Sequence, residues 1–337
     1  MRILKRTKKN KLKSNIIKML KMNILKTYKI KKRKKRKGGG IKNNKITLKK
    51  SILKKSTFKK LKCAPGQLVD GNLKKYTCYS NKDLFDLKEN WNKNNPQEQI
   101  NSNNTKEIWL FLKKKLNNKC KNELCWLNTD RIKNNSINKK NIFRPIQPNT
   151  WKKNKYEWLS SLDIINVMKQ YKRKYLDFEF IGPSPIDFDN KELYGTCVWE
   201  ELCKFDLNKY YLKNIRKIGI IFNLDDHTKS GSHWVALYID INKKYIFYFD
   251  SNGNKIPKEI KNLVDRVLIQ ATEMNIHLEF NTNEGMVHQK KDGQCGMYCL
   301  YFIIELLENR LNYDYFINNR ITDEMMMKYR EEYFNEL

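Results

Sequence analysis

Beyond residue 63 the apolar positions fall into two periods, and the switch between them divides the chain. "TKEIWLFLKKKL" (105–116) sets Ile108, Leu110, Phe111 and Leu112 among lysines, the pattern of a short amphipathic helix. A turn-rich opening and a helix-like stretch precede it, so residues 63–145 read as a small, mainly helical domain. "RPIQPNTW", with two prolines and a turn-forming Asn, marks the boundary near 144–151. The segment 161–175 reads as a helix capped by Ser161 or a neighbour, and "IGPSPIDFDN" as a loop. Four runs rich in β-branched and aromatic residues then read as strands: 216–224, 233–241, 244–251 and 276–280. Between the last two, Ile260, Leu263, Val264, Val267, Leu268 and Ala271 share one helical face, with Pro257 suited to the first turn. From Cys295 onward "CGMYCLYFIIELLENRL" is apolar nearly all round, which predicts a buried helix. The residues 151–337 are expected to form one α+β domain.

Charge changes the picture at one end only. Residues 1–62 hold 27 Lys or Arg and no Asp or Glu, which leaves +6 of the net +33 for the other 275 residues. Such a block is expected to be a disordered tail that meets a polyanion, nucleic acid foremost, or carries a localisation signal. The bland alternative is a habit of composition, since Lys, Asn and Ile dominate throughout. Residues 15–25 also suit a basic amphipathic helix lying on a membrane surface. No run reaches the roughly 18 apolar residues of a spanning helix, and no apolar signal-peptide core follows the first basic residues. The expectation is a soluble, non-secreted protein. The eight cysteines, at 63, 78, 120, 125, 197, 203, 295 and 299, are expected to be reduced. Cys120 with Cys125, or Cys197 with Cys203, would be half a zinc site, but neither pair has the usual spacing. No metal or cofactor is expected.

One of only four histidines, His233, stands at the mouth of the apolar run "GSHWVALYID". A two-residue turn at Asn242 and Lys243 makes 233–241 and 244–251 an antiparallel hairpin with 241 facing 244 and 235 facing 250. Asp250 then lies on the same sheet face as His233, one diagonal step away. A four-residue loop with the same centre keeps this register, and an odd-length loop breaks it. A carboxylate there fixes the imidazole tautomer and stabilises the imidazolium. The candidate nucleophile is Cys295, where a polar Gly-containing loop, "HQKKDGQ", opens the buried helix and the helix end favours a thiolate. Gln289, six residues upstream, would complete an oxyanion hole with the backbone N–H of Cys295. A lone buried histidine is more often a satisfied core residue and a lone cysteine inert filler. The ordered set is far more specific than any member.

Taken together, "GSHWVALYID", "YFDSNG" and "QKKDGQCGMYC" resemble the catalytic core of the Ulp1/adenain-type cysteine proteases, the superfamily of SUMO-specific and viral maturation proteases. The resemblance spans about 157–310 and includes "EWLSSLDIINVMKQY", similar to the WL-containing helix that opens that family's domain. It implies a papain-like/adenain-type fold with a central mixed sheet flanked by helices. It further implies His233 as base, Asp250 as its orienter, Cys295 as nucleophile, Gln289 as oxyanion donor and Trp234 as the indole covering the site and shaping substrate binding. Gln294 stands where cellular relatives commonly have Asp, which makes it a competing oxyanion donor. In composition and layout the chain looks most like the thiol proteases of large nucleocytoplasmic DNA viruses, implying cleavage after Gly-Gly in viral polyproteins or core proteins during virion maturation, in the virion or host cytoplasm. Two alternatives are a protease removing ubiquitin or SUMO from host conjugates and a nucleic-acid-binding virion component. Gly38–Gly40, after "RKKRK", is either a flexible linker or a self-processing site.

Overall fold

The computed structural model describes residues 61–68, 76–132 and 137–336. The basic tail up to residue 60, with its stretch 15–25 and the Gly38–Gly40 triplet, lies outside them.

Two helices lead the described chain. In α1 (Asn81–Asn94) the Ser80 hydroxyl accepts the Asp83 N–H while the Asp83 carboxylate accepts the Ser80 N–H, so both exposed donors of the first turn are satisfied. Helix α2 (Thr105–Leu116) occupies the residues expected of it. Its inward face is Ile108, Trp109, Leu112 and Leu116, whereas Leu110 is exposed, because a 3.6-residue turn carries position 110 away from 108 and 112. These helices share a core with Trp91, Trp126 and Phe143. Glu123 is buried inside it, accepting hydrogen bonds from the Cys78 N–H and the Trp109 indole N–H, and burial raises its pKa.

Helix α3 (Ser161–Lys174) starts from a second capping box, with Ser160 rather than Ser161 as the cap. A five-stranded sheet follows in the order β1-β2-β3-β4-β5: Phe178–Pro185, Lys217–Asn223, Trp234–Asp240, Tyr245–Phe249 and Glu279–Thr282. Its two edge pairings are parallel and its two central pairings antiparallel. Strand β1 runs into the segment read from sequence as a loop. The register with β2 slips between Ile181 and Ser184, around the Gly182–Pro183 bond. An edge strand with a bulge is where a sheet accommodates proline. Strand β5 begins three residues later than expected, since Ile276 and Leu278 serve the core before pairing starts.

Alternation assigns the strand residues to two cores. Ala236, Tyr238, Phe247 and Phe249 face α3 and α5 (Cys295–Leu307), while Val235, Leu237, Ile246 and Tyr248 face α4 (Lys258–Glu273). With both faces covered, β3 and β4 are buried at every position. The last long helix, α6 (Asp323–Tyr333), packs against α5. The described residues all fall within one compact unit. Hydrogen bonds join its helical start to the sheet region: Gln170 donates to the Phe143 carbonyl, Arg144 to the Tyr171 hydroxyl, and Asn335 to the Lys62 and Arg144 carbonyls.

The expectation of reduced thiols is corrected for six cysteines. Cys63–Cys78, Cys120–Cys125 and Cys197–Cys203 are disulfides, and Cys295 and Cys299 are free. Turns bring the paired Cα atoms to 5.3, 5.4 and 6.2 Å, within bridging range, which sequence spacing does not reveal. The two pairs considered as zinc half-sites are thus bonded to each other.

Candidate active site

His233 immediately precedes β3, and its carbonyl accepts the Leu224 N–H, which ties it to the end of β2. The β3–β4 register pairs Ala236 with Phe249 and Asp240 with Tyr245, so the connection is a four-residue loop centred as the sequence reading requires. Asp250 therefore emerges from β4 on the histidine's side. Its Oδ1 lies 2.7 Å from His233 Nε2. The carboxylate also accepts the Asn252 N–H and the Asn254 side-chain amide, and Asn283 brackets its backbone, accepting from its N–H and donating to its carbonyl. Four groups thus fix a fully buried carboxylate.

Cys295 is free, buried, and the first residue of α5, all of whose residues are buried. With Nε2 engaged by Asp250, Nδ1 is the imidazole nitrogen left for the sulfur. Burial disfavours the imidazolium, but hydrogen bonding to Asp250 and Cys295 and the negative charges of both outweigh it, raising the His233 pKa to about 9. The three residues thus meet at one imidazole.

Two glycines make this approach feasible. A Cβ on Gly296 would lie 3.0 Å from Leu159 and 3.2 Å from the Trp234 ring, so the missing side chain lets the start of α5 close on both. Gly293 has φ of +90°, and a Cβ there would fall 2.0 Å from the Tyr156 carbonyl oxygen. The Trp234 indole N–H donates to the Leu159 carbonyl, 3.0 Å away. From α6, Arg330 donates to the Glu157 carbonyl at 2.7 Å and the Gly293 carbonyl at 3.4 Å, its guanidinium over the Trp151 ring. It thereby joins the loop before Cys295 to the strand of chain before α3.

The two glutamines differ. Gln289 is half-buried; its side-chain oxygen accepts the Ser251 hydroxyl at 3.0 Å and its N–H donates to the Ser251 carbonyl, leaving the amide NH₂ to donate elsewhere. Gln294 is fully buried, and neither polar atom of its side chain has a hydrogen-bond partner among the described residues. Asn283, Ser251 and Arg330 carry no sequence signal of their own, being common residue types outside the motifs' key positions. His288, which opens the "HQKKDGQ" loop, is also structural: its ring accepts the Ile321 N–H and donates to the Phe316 carbonyl. Burial lowers its pKa to about 4.

Residues 193–337 match the Ulp1 protease family, C-terminal catalytic domain. This region is similar to that family's catalytic domain. A protein of Acanthamoeba polyphaga mimivirus named as a thiol protease is 33% identical over 181 residues, which are 53% of this chain and 57% of that relative. The chain thus spans little more than half the length of that relative. A protein named SUMO-1 cysteine protease from African swine fever virus is 27% identical over 246 residues, 68% of this chain and 88% of the relative. The crystal structure of an African swine fever virus protease shares the fold, with a TM-score of 0.61 at 23% identity over 82% of this chain and 96% of that one.

A cleft of about 670 Å³ includes Leu159 and Trp234, the two residues that approach Gly296 next to Cys295. Trp158, Leu159, Pro183, Pro185, Trp199 and Trp234 supply its apolar lining. Of these the sequence points only to Trp234; Trp158 and Leu159 lie within "EWLSSLD" without a signal of their own, and Pro183, Pro185 and Trp199 come from elsewhere in the chain. No helix of the described residues is long and apolar enough to cross a membrane.

Proposed function

We propose that the chain is a cysteine endopeptidase with His233, Asp250 and Cys295 as its catalytic residues. The observation that carries this reading is the 2.7 Å His233–Asp250 contact on an imidazole that also engages Cys295 at the first turn of α5. In this mechanism the proton of the thiol rests on His233, and the sulfur bonds to the scissile carbonyl carbon. The developing oxyanion accepts hydrogen bonds from the Cys295 N–H and the Gln289 amide, and as the C–N bond breaks His233 returns the proton to the leaving amine. Water then displaces the sulfur, giving its proton through His233, and the acid product leaves with the thiol restored. Asp250 orients the ring and supports the imidazolium.

Cleavage after Gly-Gly is the specificity we infer. The Trp234 indole, packed against Gly296 beside Cys295, supports it, since a flat aromatic wall close to the sulfur favours residues without side chains. Viral core proteins or polyproteins processed during virion maturation are the substrates in this reading, in the virion or host cytoplasm. The basic tail serves as a nucleic-acid contact, and residues 63–145 as a domain distinct from the catalytic 151–337. A second reading, removal of ubiquitin-like modifiers ending in Gly-Gly, is favoured by the African swine fever virus relative being named a SUMO-1 cysteine protease.

The test is labelling with a peptide vinyl sulfone ending in Gly-Gly. Wild-type protein is expected to form a covalent adduct at Cys295, and Cys295→Ser none, with turnover of a Gly-Gly peptide falling on the order of 10⁴-fold or more. Labelling that persists in Cys295→Ser would refute the assignment. Vinyl-sulfone forms of ubiquitin and SUMO separate the second reading from the first.

A further inference from the structure

The cleft beside the catalytic residues is acidic, in a chain whose net charge is +33. Glu157, Glu192, Asp225 and Asp226 line it against one lysine, Lys229. That lysine is already paired with Asp226 at 2.7 Å. His227, the remaining titratable group of the lining, is bound through Nδ1 to Asp187 at 2.7 Å and has Nε2 3.6 Å from Glu192. Even with His227 protonated, the lining keeps an excess of negative charge. The Asp225 and Glu157 carboxylates make no hydrogen bond or ion pair among the described residues.

Position connects these charges to the chemistry. Trp234 follows His233 in the chain, and both Trp234 and Leu159 pack close to Gly296 beside the nucleophile, so the cleft borders Cys295 and offers a path to a peptide held there. The lining is also mixed in a particular way. Trp158, 43% exposed, and half-buried Trp199 present ring surface next to the carboxylates. Lys and Arg carry a long apolar stem under a cationic head. Their stems suit the indole faces and their heads both the rings and the carboxylates. Neutral or acidic side chains satisfy only one of the two features.

We propose that the protease domain selects substrates with lysine or arginine in the residues just before the glycine pair, read by Glu192 and Asp225 together with the Trp158 and Trp199 rings. This rests on the Gly-Gly endopeptidase reading above and narrows its substrate class to basic segments leading into glycines. The sequence itself contains one such stretch, Lys34-Lys35-Arg36-Lys37 followed by Gly38-Gly39-Gly40, which supplies the probe.

The experiment compares two internally quenched peptides on the full chain. One carries residues 33–43, and the other replaces Lys34, Lys35, Arg36 and Lys37 by glutamine, leaving everything after Gly38 unchanged. The basic peptide is expected to show kcat/KM on the order of tenfold higher at low ionic strength, with the ratio falling as salt is added. In the double variant Glu192→Gln, Asp225→Asn the ratio is expected to move toward one. A ratio near one in wild type, a preference for the neutral peptide, or a ratio that the double variant and salt both leave unchanged overturns the inference while the endopeptidase reading stands. Should the double variant fail to fold, the salt series decides alone, and a salt-independent ratio overturns the proposal. Cleavage of neither peptide, with no vinyl-sulfone labelling, overturns both readings.

Discussion

His233 is pulled in opposite directions, and the balance sets a pH range for the proposed chemistry. Burial favours the neutral ring, yet Asp250 and Cys295 hold the proton to about pH 9. The folded pKa lies above the usual 6.5, so the pair's stabilisation is complete below about pH 6.5 and is lost as pH rises through about 9. The kcat/KM profile is therefore expected to fall above about pH 9, and Asp250→Asn to move that limb toward lower pH while lowering the rate. An alkaline limb that stays in place in Asp250→Asn would show that the carboxylate does not support the charge. The two glutamines give a second test. Gln289→Ala is expected to lower kcat about a hundredfold with little change in KM, because the Ser251 hydroxyl engages the Gln289 oxygen and leaves the NH₂ as the end that donates. A loss of that kind in Gln294→Ala, with Gln289→Ala unaffected, would reverse the assignment.

Elements built by local rules were legible in the sequence. The β3–β4 hairpin was readable because a two-residue period and a short even loop leave one register, and that register alone brings Asp250 to His233. The start of α5 was readable from the contrast between "HQKKDGQ" and the wholly apolar run after it. Strand β1 was not readable, because Gly182, Pro183 and Pro185 are turn residues by local rules and only the exposed edge of β2 makes a strand of them. The Asn283 and Arg330 contacts were likewise hidden, since each joins segments far apart in the chain. Gly293 is where a loop and a chain segment approach most closely, and Gly293→Ala should be costly through both its φ of +90° and the Tyr156 carbonyl. A loss of about 2 kcal/mol or more is expected in thermal or denaturant unfolding, with activity falling at temperatures where the variant stays folded. Unchanged stability would show that the loop has room to move.

Across the whole molecule, acid sensitivity has a specific source in His288. Its folded pKa of about 4 lies below the usual 6.5, so the unfolded chain binds a proton that the folded one rejects as pH drops through this interval. Stability is expected to be constant above about pH 6.5 and to fall between there and about pH 4 by up to ~3 kcal/mol from this group. His288→Gln should flatten that slope in urea titrations, at some cost in stability at neutral pH; an unaltered slope would place the acid sensitivity elsewhere. The overall charge layout could be read from composition, but the disulfide partners could not, since they depend on the path between cysteines. The Arg330 clamp is a further long-range feature. His233, Asp250 and Cys295 are all synthesised before α6, yet Gly293 and Glu157 are joined only when Arg330 arrives. Synthesis order therefore separates the two: the segments holding His233, Asp250 and Cys295 leave the ribosome ahead of α6, and the Glu157–Gly293 link closes only after α6 has been made.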